Sequence, residues 1–232
     1  EYYNTILDDL KEIKIVPYVI PGRTGTAISA EDLAVLAQEY DRLIAIKEAT
    51  GDLERMKKER ALMPSMGIIS GDDDKTFPMM NDPQIRANGV ISVMSNIVPG
   101  AVSEMVDAAL EGNQQKAQET AQKLGPLFSI VTVKARSERS LADGKKLEVQ
   151  DKFRNPLAVK TAMHILGMPA GAPRKPLGKM TPEGTSIVKN VLKKLLQDSP
   201  EILEPIGEFY QTDIESRINN DNLWEKLTYS SC

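Results

Sequence analysis

Residues 43–70 read LIAIKEATGDLERMKKERALMPSMGIIS, and the order of residue types in this stretch decides the fold. Residues 43–47 form a short apolar run of the kind buried on both faces of a sheet. Residues 52–62 make a charged segment of helical length, and residues 67–70 (GIIS) return to a very short strand. The same alternation extends outward on both sides. Upstream, residues 3–12 (YNTILDDLKE) place Ile6, Leu7 and Leu10 at helical spacing, and residues 13–20 (IKIVPYVI) follow as a strand rich in β-branched side chains. Ser29 is a plausible N-cap before AEDLAVLAQEY, with Asp32 three residues on, close to a capping-box arrangement. Downstream, a Pro- and Asn-containing stretch leads to residues 89–93 (GVISV) as a fourth strand, and a helix begins at Pro99 and runs to Leu110.

Strands that are near-continuous apolar runs, each followed by a helix, indicate βα units around a parallel sheet. From Gln114 onward the pattern changes to helices only, over 114–135, 155–167 and 182–197, with two more within 200–229. Residues 137–152 read as a charged, Gly-containing loop and 167–179 as a Gly/Pro-rich connection. The predicted organisation is α/β over residues 1–112, followed by a helical domain with an extra tail over residues 113–232. A complete (β/α)8 barrel takes about 250 residues, so four βα units correspond to the second half of one. The chain opens on Glu1 and reads at once as the middle of a fold, which suggests a processed or incomplete chain.

Composition narrows the function classes. With 29 basic and 33 acidic side chains the net charge is −4, and no run of five or more Lys/Arg offers a footprint for a phosphate backbone. Nucleic acid is not an expected partner. The single cysteine, Cys232, rules out an intramolecular disulfide framework and a Cys-based zinc site. No stretch approaches the roughly 18 apolar residues that span a bilayer, and residues 1–20 carry charges where a signal peptide needs an apolar run. The expectation is a cytoplasmic protein away from membranes.

In a parallel barrel the C-terminal strand ends carry the chemistry. Lys47 ends LIAIK, and desolvation there would leave some neutral amine to attack a carbonyl; the plain alternative is a lysine snorkelling from a strand end. Tyr18, in PYVIPGRTG (17–25), ends another apolar strand with Arg23 just beyond the Pro21-Gly22 turn. A phenol beside a guanidinium could pass protons while the arginine holds a carboxylate; equally, the two could be a half-buried tyrosine and a solvated loop arginine. SGDDDKT (70–76) lacks EF-hand spacing and reads as a polar turn, so no metal is expected. His164, within AVKTAMHILG, is structural rather than catalytic. Met79, Met80 and Met94 are read as core filling. No GxGxxG or P-loop string supports nucleotide binding. Ile202, Leu203, Ile206, Phe209 and Tyr210 share amphipathic spacing that suggests a helix packed on the barrel or on another subunit, with docking on the protein's own surface the plainer account.

The strings PYVIPGRTG, IKEATGDLERM, SGDDDKT, GVISVMSN and RNPLAVKTAMHILG, in this order, resemble the dihydrodipicolinate synthase family. That family belongs to the pyruvate-dependent class I aldolases, which also include N-acetylneuraminate lyase. The resemblance runs from about residue 2 to about residue 196, and RKPLGKMTPEG (174–184) resembles the family's appended helical domain. It implies a TIM (β/α)8 barrel, of which this chain carries the C-terminal half. It further implies that Lys47 forms a Schiff base with pyruvate and that Tyr18 relays protons. Arg23, which the sialic acid lyase branch lacks, would hold the carboxylate of aspartate semialdehyde. Ile91 would contact pyruvate through its backbone, and Gly71 would line the same pocket.

The implied reaction is the condensation of pyruvate with aspartate semialdehyde to 4-hydroxy-tetrahydrodipicolinate, in lysine biosynthesis, with no cofactor and in a dimer or tetramer. Three departures from the family's pattern stand out. The usual Tyr-Asn pair is Tyr18-Val19 here, and the stretch from Gly71 to Ile91 is slightly long. The first four strands are missing, and with them a Thr-Thr pair for the pyruvate carboxylate, a tyrosine lent by a neighbouring subunit and most of a lysine feedback site. Two other readings remain: a pyruvate aldolase for another aldehyde, and a non-catalytic half-barrel serving assembly or regulation.

Overall fold

Four parallel strands, β1 (Tyr18–Val19), β2 (Ala45–Glu48), β3 (Gly67–Ser70) and β4 (Gly89–Val90), lie side by side in sequence order. The structure is a computed structural model that describes residues 1–229; Cys232 lies outside the described residues. The chain forms two compact units, one of Glu1–Ser92 with Glu104–Gln118, the other of Val93–Ser103 with the chain from Glu119 onward.

In the first unit the strands alternate with helices α1 (Tyr2–Asp9), α2 (Pro21–Thr24), α3 (Ala30–Glu39), α4 (Leu53–Leu62) and α5 (Thr76–Asn81). Ser29 caps α3 by accepting from the Asp32 amide at 3.0 Å, and Asp52 caps α4 by accepting from the Arg55 amide at 3.1 Å. Consecutive strand residues point to opposite faces. Val19 and Ile46 bury against Leu33 and Leu36 of α3, while Ile68 packs with Met56 of α4 and with Met79 and Met80 of α5. The second and third of those methionine positions, together with buried Met94, are core as read from the sequence. The other face of the sheet is more open: Tyr18 is 41% and Ile91 49% exposed.

Helix α4 carries an unusual load, because six of its ten residues are charged and two of those, Glu59 and Arg60, are buried. The Arg60 guanidinium fills its donor fork with backbone carbonyls. Nε donates to Ile85 at 2.8 Å, Nη1 to Pro64 at 2.8 Å and to Met66 at 2.7 Å, and Nη2 to Arg86 at 3.2 Å. One side chain thus fixes both the entry to β3 and the connection into β4.

Helices α6 (Pro99–Leu110) and α7 (Gln114–Phe128) contribute residues to both units. The second unit then corrects the expectation of helices only. Residues read as the end of a helix and a charged loop form an antiparallel hairpin, β5 (Thr132–Ser140) and β6 (Lys146–Arg154), in register from Thr132↔Arg154 to Ser140↔Lys146. Val133 and Ala135 are buried while Lys134 and Arg136, alternating with them, are exposed, which is a strand's period of two. Asp143-Gly144 makes the turn, with Gly144 at φ 83°. Cross-strand charges hold the ladder: Arg139 grips Asp151 through both carboxylate oxygens at 3.0 and 3.1 Å, and Lys146 meets Glu138 at 2.6 Å. These ion pairs run diagonally, since the residues directly opposite include Lys134 with Lys152 and Glu138 with Glu148, so the charges read as a solvated loop here line a hairpin whose register they do not set.

Beyond the hairpin come α8 (Leu157–Ile165), α9 (Pro182–Asp198), α10 (Glu204–Tyr210), α11 (Ile214–Asn219) and α12 (Asp221–Lys226), so the stretch after residue 200 holds three helices where two are expected. Ile202, Leu203 and Ile206 bury as their spacing implies, but Phe209 is 79% exposed. Arg217 of α11 caps α8 by donating to the carbonyls of Ile165 at 2.7 Å and His164 at 2.8 Å. The His164 ring lies 3.0 Å from the Gly171 carbonyl, a structural contact. Among the described residues no helix is long and apolar enough to cross a membrane.

Candidate active site

The parallel register sets Tyr18 opposite Lys47 and Lys47 opposite Ile69. Tyr18 and Lys47 therefore leave their strands at one level on the more open face. The Lys47 Nζ lies 4.0 Å from the centre of the Tyr18 ring, within cation–π distance. Partial burial lowers the Lys47 pKa, and this outweighs Asp72 and Asp73, whose carboxylates favour the ammonium. Burial also raises the Tyr18 phenol, with Asp72 pushing the same way and Arg23 opposing it. The pair joins an amine made easier to deprotonate to a phenol that keeps its proton.

Gly71 follows β3 where no side chain fits. A Cβ there would fall 2.6 Å from the Ala49 Cβ, 3.1 Å from the Glu48 carbonyl and 3.2 Å from the Lys47 Cε, and the Gly71 amide donates to that same carbonyl at 2.7 Å. The Ile91 amide donates to the Ser70 carbonyl at 2.9 Å, continuing the β3–β4 pairing past the strand end. Arg23 stands in the one-turn helix α2, set by Pro21 at its start and by Gly25 at φ 70° at its end. The structure thus gathers Tyr18, Lys47 and Gly71 at adjoining strand ends. It brings Arg23 close enough for its charge to act on the Tyr18 phenol.

Sequence reasoning overlooked Asp72. Taken as part of a polar turn, it follows Gly71 directly, its carboxyl pKa is raised chiefly by burial, and its charge acts on both Lys47 and Tyr18. The available signal was positional, because an acidic residue two places past a buried strand end sits at the mouth of the sheet. Glu48 also went unremarked. It is fully buried on the helix-covered face, accepting from the Thr50 amide at 2.9 Å and from Arg55 Nε at 3.1 Å. Arg55 Nη2 lies 2.9 Å from Oε1 of Glu59, itself fully buried. Burial first, and then the Glu48 carboxylate, push the Glu59 carboxyl up to about 8.

A parallel sheet whose strand ends carry a desolvated lysine under a tyrosine ring is a scaffold for carbonyl chemistry by a protein amine. The chain matches the dihydrodipicolinate synthetase family over residues 1–195, and it belongs to that family. It is 35% identical over 195 residues to the 4-hydroxy-tetrahydrodipicolinate synthase of Aquifex aeolicus (strain VF5), covering 84% of this chain and 58% of that protein. With the enzyme of the same name from Methanocaldococcus jannaschii it shares 36% identity over 183 residues, covering 79% of this chain and 55% of that one. Among solved structures, the dihydrodipicolinate synthase of Aquifex aeolicus superposes with a TM-score of 0.68 at 34% identity, covering 84% of this chain and 59% of that one. The 4-hydroxy-tetrahydrodipicolinate synthase of Methylacidiphilum fumariolicum SolV gives 0.71 at 27% identity, covering 88% and 61%. The chain spans a little under three fifths of the length of the Aquifex relative.

Proposed function

We propose that this chain carries the lysine half of a pyruvate-dependent class I aldolase, acting in lysine biosynthesis as a 4-hydroxy-tetrahydrodipicolinate synthase. The observation that carries the proposal is the Tyr18–Lys47 pair, in register on adjacent strands with Nζ 4.0 Å from the ring centre. The neutral Lys47 amine attacks the keto carbon of pyruvate, and the carbinolamine loses water to give an iminium. Tyr18 donates and takes back the protons of these steps. The iminium then draws electrons from the adjacent methyl, which gives up a proton, and the resulting enamine carbon attacks the aldehyde of aspartate semialdehyde. Arg23 holds the carboxylate of that aldehyde, Gly71 leaves room beside Lys47, and the Ile91 backbone meets pyruvate. The covalent imine does the work of an electron sink, so no cofactor or metal enters the reaction.

On this reading β1 to β4 are the second half of a (β/α)8 barrel, the helices and the β5–β6 hairpin after residue 113 are its appendage, and the protein works in the cytoplasm as a dimer or tetramer. The family match and the names of the relatives support the reaction class, while Arg23 favours the acidic aldehyde over other acceptors. Borohydride trapping tests it. The chain is incubated with pyruvate, reduced and mapped by peptide mass, alone and together with a polypeptide supplying the family's first four βα units. The expected product is one reduced pyruvyl adduct, on Lys47, which is lost in Lys47→Ala with the circular dichroism unchanged. Adducts scattered over surface lysines, or none under either condition, would rule the function out.

A further inference from the structure

Lys47 and Glu48 are consecutive, yet their side chains lie on opposite faces of β2. The amine points to the open face, and the carboxylate is sealed on the side covered by helix α4. Every arm of that carboxylate is used to hold backbone or helix. Oε1 accepts from the Thr50 amide and Oε2 from Arg55 Nε, while the Glu48 carbonyl accepts from Gly71 and the next amide, that of Ala49, donates to the Val19 carbonyl at 2.9 Å. The turn that follows needs Gly51 at φ 71°, and Thr50 Oγ1 accepts from the Asp52 amide at 3.2 Å before Asp52 caps α4. From Lys47 to the start of α4 the backbone is thus tied to β1, to β3 and to its own helix, with one buried carboxylate at the centre of the ties.

We infer that Glu48 is a positioning residue for Lys47: by gripping the Thr50 amide and the Arg55 guanidinium on the covered face, it fixes the turn and holds the amine at the Tyr18 ring on the other face. The inference rests on the reading of Lys47 as the imine-forming lysine. The chemistry around Arg55 makes it testable without unfolding the site. Glu48, Arg55 and Glu59 together hold two carboxyl groups and one guanidinium, and burial favours the protonated form of Glu59. In Glu48→Gln, Glu59 gives up that proton and becomes the counter-charge of Arg55, which it already touches at 2.9 Å. No uncompensated charge is left buried. What the amide cannot do is accept from both neighbours, since its NH2 must face either the Thr50 N–H or the Arg55 Nε–H, donor against donor. The latch opens while the charge balance survives.

Acetylation of each lysine by acetic anhydride, followed by peptide mapping between about pH 6 and about pH 11, reads the state of Lys47 without pyruvate. In the native chain Lys47 should titrate below the surface lysines. In Glu48→Gln its midpoint should rise toward theirs by about one pH unit, with about tenfold slower acetylation near neutrality. Glu59→Gln, which leaves Glu48 and its two bonds in place, should keep the native midpoint. Arg55→Lys, which moves the partner charge but spares the Thr50 bond, should shift Lys47 in the same direction by less, and it decides the matter if Glu48→Gln does not fold. An unchanged Lys47 midpoint in the folded latch variants, or an equal shift in Glu59→Gln, would overturn the inference. Pyruvate trapping run in parallel separates the two questions: a native chain with a low Lys47 midpoint that forms no adduct, alone or with the family's first four βα units supplied, refutes the aldolase reading and leaves the positioning role standing.

Discussion

Helix α4 and the β5–β6 hairpin are both densely charged, and they treat charge in opposite ways. In α4 half of the six charges turn inward: Glu59 and Arg60 are buried and Arg55 reaches in to buried Glu48, where water cannot serve as the partner, while Glu54 and Lys58 stay exposed. In the hairpin the charges stay nearer the surface and pair diagonally across the two strands, Glu138 with Lys146 and Arg139 with Asp151. Density of charge therefore says little about exposure. What separates the two regions is whether the alternative partner is water.

The sharpest test of that contrast is Arg60. Arg60→Ala leaves four carbonyls without their donor and opens a cavity, so urea unfolding should show a loss on the order of 3 kcal/mol. A loss below about 1 kcal/mol would place α4 in the same class as the hairpin.

A smaller effect is expected at Glu59, and it grows as pH rises from the ordinary carboxyl range toward about 8. Its folded value of about 8 lies above the ordinary 4.5, so the folded chain keeps a proton that the unfolded chain releases. Stability linked to this group is whole below the unfolded value and is lost as pH rises through about 8. Glu59→Gln should therefore resist denaturant better than the native chain at alkaline pH, by on the order of 2 kcal/mol, and lose that advantage near pH 4. Parallel stability–pH curves for the two proteins would show that Glu59 does not carry the proton.

The least effect belongs to the hairpin. Arg139→Ala removes a two-oxygen grip that is partly solvated, and thermal unfolding should register about 0.5 kcal/mol, fading as salt is added. A loss as large as that of Arg60→Ala would erase the distinction between the two regions.

These regions also show what can be read from residue order. The β2–α4–β3 unit was legible because its strands are apolar runs and its helix opens on Asp52, and Gly67–Ser70 falls where GIIS placed it. The hairpin was not, because the apolar residues around Leu127 and Ile130 extend a helical pattern up to Thr132 and the alternation after it is written largely in charged residues. Asp143-Gly144 was the available signal for a tight turn, and it was outweighed. Helix α5 was missed because Pro78 falls inside so short a segment. At the candidate site, Lys47 and Tyr18 could be picked out as strand ends, but their pairing depends on register, which no single segment encodes. Asp72 and Glu48 were hidden for a related reason: their importance lies in what other strands and helices bring to them.

Strand β1 is only two residues long, and Tyr18 is one of them. The side chains of a strand alternate, so a slip of one position against β2 would set Val19 before Lys47 and turn the phenol into the hydrophobic layer occupied by Val19. The ladder that prevents this is Lys47 donating to the Pro17 carbonyl at 2.8 Å and Ala49 to that of Val19 at 2.9 Å, with an isolated bridge upstream in which Ile15 donates to the Arg42 carbonyl at 2.8 Å and accepts from Ile44 at 3.2 Å. Accuracy of chain alignment and accuracy of chemistry are thus a single property at this edge. A change that loosens β1 without touching any reactive group would yield molecules that are folded but misaligned, and a titration of active sites would count fewer sites than chains.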